Sequence, residues 1–305
     1  MRLAMSLIGI MVAAILPAQA GDDPLLRPIA PDFASRWLTP KTPERLFGST
    51  YFVGFGGLSV ALIDTKDGLI LIDGAVPQAV PMIEENIRQL GFSLRDIKLI
   101  LSTEPHYDHA GGLAALARDT GATVVASPEG AKVLEAGRSG PDDPQFSWLP
   151  PFPAVRGVRV AQDGDTITLG DTTVTAVATP GHTAGSMSWA WQSCEGKRCA
   201  NVVFASSLNP VAPDDYRFSD SAHQEIVEAY GRSFARMRAV PCDILITAHP
   251  DQPAWDAKLA RLGEQPEANP FIDPKACAAY AEASAQRLAD RLKQEGGAGE
   301  EQGGK

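Results

Sequence analysis

An α/β sandwich, two sheets packed face to face with helices outside, is the architecture this sequence predicts. Three observations predict it. Short β-branched or aromatic runs alternate with helix-period stretches. The alternation occurs twice in the same order, on either side of a proline-rich loop. The chain, at 305 residues, is long enough to bury a large core. No internal similarity is close enough to read as a solenoid.

The first twenty residues stand apart. Arg2 supplies a short positive start, residues 7–16 form an apolar run, and Ala18-Gln19-Ala20 ends it with small residues. This is the layout of a secretory signal peptide cleaved after Ala20. About ten apolar residues are too few for a membrane helix. After it, residues 51–53, 58–63 and 69–72 form a meander of strands punctuated by Gly54, Gly56-Gly57 and Asp67-Gly68. A helix is predicted over 78–90, with Met82, Ile83, Ile87 and Leu90 on one face. Residues 97–101 read as a buried strand, and 113–118 start another helix.

The loop over 139–153 carries five prolines and separates the halves. Beyond it, 166–169, 173–179, 187–191 and 202–204 read as strands. A helix follows over 226–237, a strand over 244–247 and a closing amphipathic helix over 276–292. Residues 294–305, rich in Gly and Glu, are expected to form a disordered tail after a single domain over 21–293.

Charge narrows the partners. There are 27 basic and 37 acidic residues, a net −10, or −11 once Arg2 is cleaved off. Such a surface repels phosphate backbones and carries no basic stripe, which argues against nucleic acid. Nothing after residue 20 is apolar enough to span a bilayer, so no membrane partner is expected after cleavage, and a monomer is. Four cysteines, Cys194, Cys199, Cys242 and Cys277, read as disulfides in an exported chain, with free thiols as the alternative. Cys194 and Cys199 bracket Glu-Gly-Lys-Arg between two strand-like runs, so a bridge across a hairpin loop is easy. Cys242 and Cys277 would then tie the final strand to the last helix.

The densest group of metal-capable side chains is Ser102-Thr103-Glu104-Pro105-His106-Tyr107-Asp108-His109-Ala110-Gly111-Gly112. It follows the strand ending at Leu101, where an α/β sheet presents ligands. Glu104, His106 and Asp108 alternate, and Asp108 and His109 are expected to point different ways, so that one loop could feed two metals. Gly111 and Gly112 let the backbone pass close before the next helix. Of five histidines, four lie just past strands: His106, His109, His182 in a Thr-Pro-Gly-His-Thr turn, and His249 before Pro250. Imidazole mixed with carboxylate suits zinc, with one position open to water suiting catalysis. His223 is explained by capping or a solvated helical face. Trp37, Phe146 and Trp148 could line a pocket, although aromatics are more often core.

These residues resemble the metallo-β-lactamase superfamily, whose motif is normally His-x-His-x-Asp-His with later histidines at the places of His182 and His249. The resemblance covers nearly the whole chain after residue 20. Leu71-Ile72-Asp73-Gly74 is similar to the family's early buried Asp, and the 179–186 stretch to its middle ligand loop. Residues 240–250, and the pair Cys242 and Cys277, resemble subclass B3 β-lactamases. The resemblance implies a four-layer αβ/βα sandwich of two mixed sheets, and two Zn²⁺ ions. One would be held by Glu104, His106 and His182, the other by Asp108, His109 and His249. Position 104 departs from the pattern, which has His there; glutamate can also ligate zinc.

The activity implied is opening of the β-lactam amide bond by a metal-bound hydroxide, with Asp108 catalytic and Asp73 steadying the ligand loop. That is a small-molecule substrate, a periplasmic or secreted location and a role in antibiotic resistance. Many superfamily hydrolases of thioesters and lactones carry a bridging Asp after the strand at 202–204. Here Ala205-Ser206-Ser207-Leu208-Asn209 follows, with no carboxylate before Asp214. In subclass B3 this stretch resembles a Ser-rich segment that binds the drug's carboxylate, which points to Ser207 and Asn209. No Ser-x-x-Lys nucleophile motif occurs. A related lactone or thioester hydrolase, or a zinc-binding protein with little catalysis, is the alternative.

Overall fold

In the computed structural model, residues 23–250, 252–264 and 268–302 are described; the predicted signal peptide lies outside them. Seven strands form the first sheet, in sequential order: β1 (Glu44–Phe47), β2 (Thr50–Phe52), β3 (Ala61–Asp64), β4 (Leu69–Ile72), β5 (Ile97–Leu101), β6 (Thr123–Ala126) and β7 (Arg159–Val160). The first four pair antiparallel and the last four, sharing β4, pair parallel. A second sheet holds β8 (Thr166–Leu169), β9 (Thr172–Ala178), β10 (Met187–Glu195), β11 (Arg198–Ala205) and β12 (Ile244–Thr247). Its β11–β12 pair is parallel and the rest antiparallel.

Helices cover both outer faces. They are α1 (Pro31–Ala34), α2 (Val80–Gln89), α3 (Tyr107–Ala110), α4 (Leu113–Thr120), α5 (Pro128–Ala136), α6 (Gln224–Ala239), α7 (Gln252–Arg261) and α8 (Ala276–Gln302). Side-chain alternation along the strands explains the layering. On β4, Ile70 and Ile72 enter the core between the sheets, whereas Leu69 and Leu71 pack with Ile83 and Ile87 of α2 and Leu116 of α4. On β11, Val202 and Phe204 face the other sheet, and Val203 and Ala205 meet Tyr230 and Phe234 of α6 and Ala281 of α8. Both faces of these strands are therefore apolar, giving four layers, helix–sheet–sheet–helix. Each such Leu, Ile or Phe side chain gains roughly 1.5–3 kcal/mol on burial.

The parallel strands set the position of the site. The C-terminal ends of β4, β5, β11 and β12 lie at one edge, where α/β sheets leave loops free to converge. Two hydrogen bonds stitch the sheets there: Met187 N–H donates to the Thr103 carbonyl (2.7 Å), and Trp189 Nε1 to the Ser102 carbonyl (3.1 Å). At the far end, Cys194 and Cys199 pair across the β10–β11 hairpin, and Cys242 pairs with Cys277 of α8. α8 continues past residue 294, where composition alone starts a tail. Glu295 anchors that turn by accepting from Arg291 Nε (2.6 Å) and the Ser219 N–H (2.7 Å).

Candidate metal centre

The loop after β5 is clamped before it presents any side chain. Asp73, fully buried and in a left-handed turn (φ 64°) just past β4, accepts from the Thr103 N–H (2.7 Å) and hydroxyl (2.5 Å). Gly74 N–H donates to the His109 carbonyl and Gly112 N–H to the Ala75 carbonyl. A Cβ at Gly112 would collide with the Gly74 carbonyl oxygen, so glycine is required there. The close backbone passage expected of Gly111-Gly112 is thus a packing of this loop against the β4 turn.

Four donors, Glu104, His106, Asp108 and His109, emerge from this clamp, and His182 past β9 and His249 past β12 join them, all but His249 buried. Asp108, His109 and His249 form one group. Their closest atoms are 3.4 Å (His109 Nε2–Asp108 Oδ2), 3.3 Å (His249 Nε2–Asp108 Oδ2) and 3.1 Å (His109 Nε2–His249 Nε2) apart. Asp108 and His109 therefore converge, where adjacency in the loop predicts divergence. Both sit on the single turn α3, and the long imidazole reaches back over Asp108. His106 and His182 form a second group, their rings 5.0 Å apart. Glu104 stands between the groups: its Oε1 is 2.9 Å from His109 Nε2 and 4.0 Å from His182 Nε2. Among Glu, Asp and His side chains, Glu104, His109 and His249 also meet as a possible cation-binding trio.

The outer hydrogen bonds select the tautomers. His249 Nδ1 faces the Gly57 carbonyl (2.9 Å) and His182 Nδ1 the Asn209 carbonyl (2.8 Å). A carbonyl only accepts, so each Nδ1 carries the proton and each Nε2 keeps its lone pair pointing inward. Burial and the neighbouring His106 push His182 down, against the pull of Glu104, and so disfavour a second proton on that ring. Burial raises Glu104, yet His109 and His182 outweigh it and hold the carboxyl well below its usual range. His109 is the reverse: burial pulls it down, but Asp108, Glu104 and Asp73 drive it well above its ordinary value.

This environment fits a metal cation. Among the described residues, no lysine or arginine pairs with Asp73, Glu104, Asp108 or Asp143; only imidazoles do. Tetrahedral zinc with ligands at 2.0–2.1 Å requires ligand atoms about 3.3 Å apart, close to the 3.1–3.4 Å in the Asp108–His109–His249 group. Inward lone pairs facing one another at such distances repel unless a cation or proton lies between them.

Ser207, expected to bind substrate, is placed against the ligand loop. Its N–H donates to Glu104 Oε2 and its hydroxyl to Glu104 Oε1, both at 2.8 Å, and it is buried. Its donors are spent on the ligand loop, because a carboxylate at 104 reaches them where an imidazole has no second acceptor. Asn209 uses its backbone carbonyl to orient His182 and accept from Tyr230. Its side-chain Oδ1 is buried without a partner. A cavity of 630 Å³ beside it is lined by Asn209, Thr247, His249, Tyr280 and Arg287. Trp37 packs 5.4 Å from the His249 ring, whereas Phe146 and Trp148 are exposed. His223 stacks on Tyr216, and its Nδ1 meets the Arg217 carbonyl.

Two contributors escaped the sequence reading. Asp143 Oδ2 lies 2.9 Å from His106 Nε2, and Gln145 Nε2 lies 3.1 Å from His182 Nε2. Both come from the proline-rich loop, where an Asp or Gln carries no signal beyond that of an ordinary turn residue.

The profile of the metallo-β-lactamase superfamily matches residues 53–249. In structure, the chain is similar to one described as the first B3 metallo-β-lactamase with an active-site glutamic acid: 57% identity, TM-score 0.82, over 90% of this chain and 98% of that one. It is also similar to the Rm3 metallo-β-lactamase (44%, TM-score 0.83, 88% and 99%). BJP-1 of Bradyrhizobium japonicum, a subclass B3 enzyme, matches at 38% and TM-score 0.78 over 87% and 99%. Among curated relatives are YobT of Bacillus subtilis, at 30% identity over 46% of this chain, and a hydroxyacylglutathione hydrolase of Rhodopseudomonas palustris, at 27% over 63%. The chain spans only 59% and 61% of the length of those two.

Proposed function

The chain belongs to the metallo-β-lactamase superfamily, and from that premise we propose that it is a zinc-dependent hydrolase that opens the amide bond of β-lactams. One observation carries the reading. A buried carboxylate, Glu104, joins an otherwise imidazole-rich pair of donor groups, and the similar B3 enzyme at 57% identity is described as having an active-site glutamic acid. Two Zn²⁺ ions are proposed. Asp108, His109 and His249 would hold one, and His106 and His182 the other, with Glu104 between them. A signal peptide over 1–20, a periplasmic or secreted location, a monomeric state and a part in antibiotic resistance belong to the same proposal.

Zinc, when bound, supplies a Lewis acid and a nucleophilic water at neutral pH. The rest falls to the chain. Asp108 is ionised, because His109 and His249 outweigh the effect of its burial, so its carboxylate accepts a hydrogen bond and orients the attacking water. Gly57 and Asn209 hold the His249 and His182 rings in position through their carbonyls. Trp37 packs against the His249 ring. Asn209, which lines the cavity, is the residue proposed to meet a polar group of the substrate. The exposed rings of Phe146 and Trp148 offer apolar contact beside the Asp143 and Gln145 positions.

The curated relatives named hydroxyacylglutathione hydrolase support thioester hydrolysis as a second reading. A panel of a penicillin, a cephalosporin, a carbapenem and an acyl-glutathione thioester separates the two. We expect β-lactam turnover that disappears on exhaustive chelation and returns with zinc. Full turnover in metal-free protein, or turnover of the thioester alone, would sink the proposal.

A further inference from the structure

The loop after β11 serves the centre twice over. Ser207 donates to both oxygens of Glu104, and the Asn209 carbonyl orients His182. Little chain separates these two contacts, so whatever fixes the loop also fixes how the carboxylate and the imidazole are presented.

The loop is held from two directions. From the second sheet, the Ser206 hydroxyl meets Thr179 Oγ1 (2.8 Å), and the Ser206 N–H donates to Ser188 Oγ (3.1 Å). From the outer helices come two phenols. Tyr230 of α6 donates to the Asn209 carbonyl (2.8 Å). Tyr280 of α8 accepts from the Leu208 N–H (3.1 Å) and donates to the Ser206 carbonyl (3.3 Å), bridging the residues on either side of Ser207. Burial and the charge of Glu104 both push the Tyr280 phenol above its usual range, so it keeps the proton it donates.

One of these contacts bears directly on Glu104. The Ser206 carbonyl and the Ser207 N–H belong to a single planar peptide unit and point to opposite sides of it. Tyr280 takes the carbonyl end and Glu104 Oε2 the N–H end, so tilting one end tilts the other. α8 is itself held where this requires. Cys277, one turn before Tyr280, is bonded to Cys242 just before β12. Further along, Arg291 Nη2 donates to the Pro213 and Tyr216 carbonyls (3.2 and 2.9 Å), so the helix follows the loop onward.

We infer that Tyr280 is a positioning residue of the metal centre, holding the Ser206–Ser207 peptide in the pose that sets the Glu104 carboxylate between the two donor groups. The tie depends on a carboxylate at 104, because an imidazole there cannot take both Ser207 donors. The helical layer thus reaches the centre through one phenolic oxygen. The inference rests on the zinc-hydrolase reading above.

The test separates this role from a general contribution to folding. Tyr280→Phe deletes one oxygen from a nearly isosteric side chain. The full-length parent, Tyr280→Phe, Glu104→His and the double variant are stripped of metal and titrated with zinc against a chromophoric chelator. Cobalt absorption spectra of the same four proteins report ligand geometry. With Glu104 present, Tyr280→Phe is expected to weaken one ion about tenfold, at the low end of the effect of groups that orient ligands. The cobalt bands should shift with it. In the Glu104→His background the same change should cost much less, because the two substitutions then act on one path. An equal loss in both backgrounds would show that Tyr280 serves only the fold. Parental affinity in Tyr280→Phe would show that the peptide keeps its pose without the phenol. Either result overturns the inference and leaves the zinc reading standing. A parent that binds no metal ends the zinc reading and this inference with it.

Discussion

Glu104 has no exposed surface, and a carboxylate in that state depends on its donors. Ser207 supplies two of them, from backbone and side chain, in a loop 103 positions away. Ser207→Ala keeps the backbone donor and deletes the hydroxyl. In chelated protein this should cost about 1–3 kcal/mol, the range for weakening the hydrogen-bonding of a buried charged acceptor. Urea unfolding measures it, and an unchanged midpoint at unchanged slope would contradict the assignment. The same pair shows what could be read beforehand. Glu104, His106, Asp108 and His109 were legible because metal-capable side chains crowd one strand end, and His182 and His249 because each follows a strand. Ser207 was legible as a polar residue near the site but not as a partner of Glu104. Its task follows from the reach of a carboxylate at 104, and that depends on backbone positions that only packing fixes. Asp143 and Gln145 were hidden for the same reason: nothing local says that the loop folds inward.

Elements were legible in proportion to their burial. β4, apolar on both faces, and α2, with Ile83 and Ile87 on one stripe, follow the sequence reading closely, whereas β11 runs over Arg198–Ala205 where only its apolar end, 202–204, reads as a strand. β7, two exposed residues at a sheet edge, has no pattern to read. α5 carried a readable start, Ser127 before Pro128, and the Ser127 hydroxyl does accept from Gly130 N–H (2.9 Å). Gly130 weakens its helical appearance, and only Gly130, Ala131 and Leu134 of the helix are buried. The two disulfides also work at this scale. Cys242–Cys277 closes a separation of 35 residues between the start of β12 and α8, and Cys194–Cys199 closes only 5 within a hairpin already paired by its ladder. Chain-entropy arguments give about 3–4 kcal/mol for the longer loop and about 2 for the shorter. Paired Cys→Ala variants should therefore lose more stability at Cys242 and Cys277 than at Cys194 and Cys199. Equal losses in urea unfolding would mean that loop length does not govern these bridges here.

At the scale of the whole molecule, the two sheets are joined at the site edge through the ligand loop, so charge in the centre bears on global stability. His109 faces Asp73, Glu104, Asp108 and His249 at once. Despite burial, Asp108, Glu104 and Asp73 raise it well above its ordinary value in metal-free protein, and Asp143 and Glu104 raise His106 as well. A group whose folded pKa is raised adds stability below its unfolded pKa and loses that contribution as pH rises through the folded value. Metal-free protein should thus lose this support on the alkaline side, above the ordinary histidine range of about 6.5. Burial opposes the ionisation of Asp73, so losing the neighbouring imidazolium leaves a buried carboxylate with less compensation. Zinc takes the place of the proton and is favoured by deprotonated imidazole, so binding strengthens over the same interval. The melting temperature of the zinc-loaded protein should therefore exceed that of the chelated protein by a margin that widens from about pH 6 to about pH 9. Scans of both forms in matched buffers measure that margin. A margin that is constant or shrinks with rising pH would show that the imidazoles of this centre are not protonated when the metal is absent.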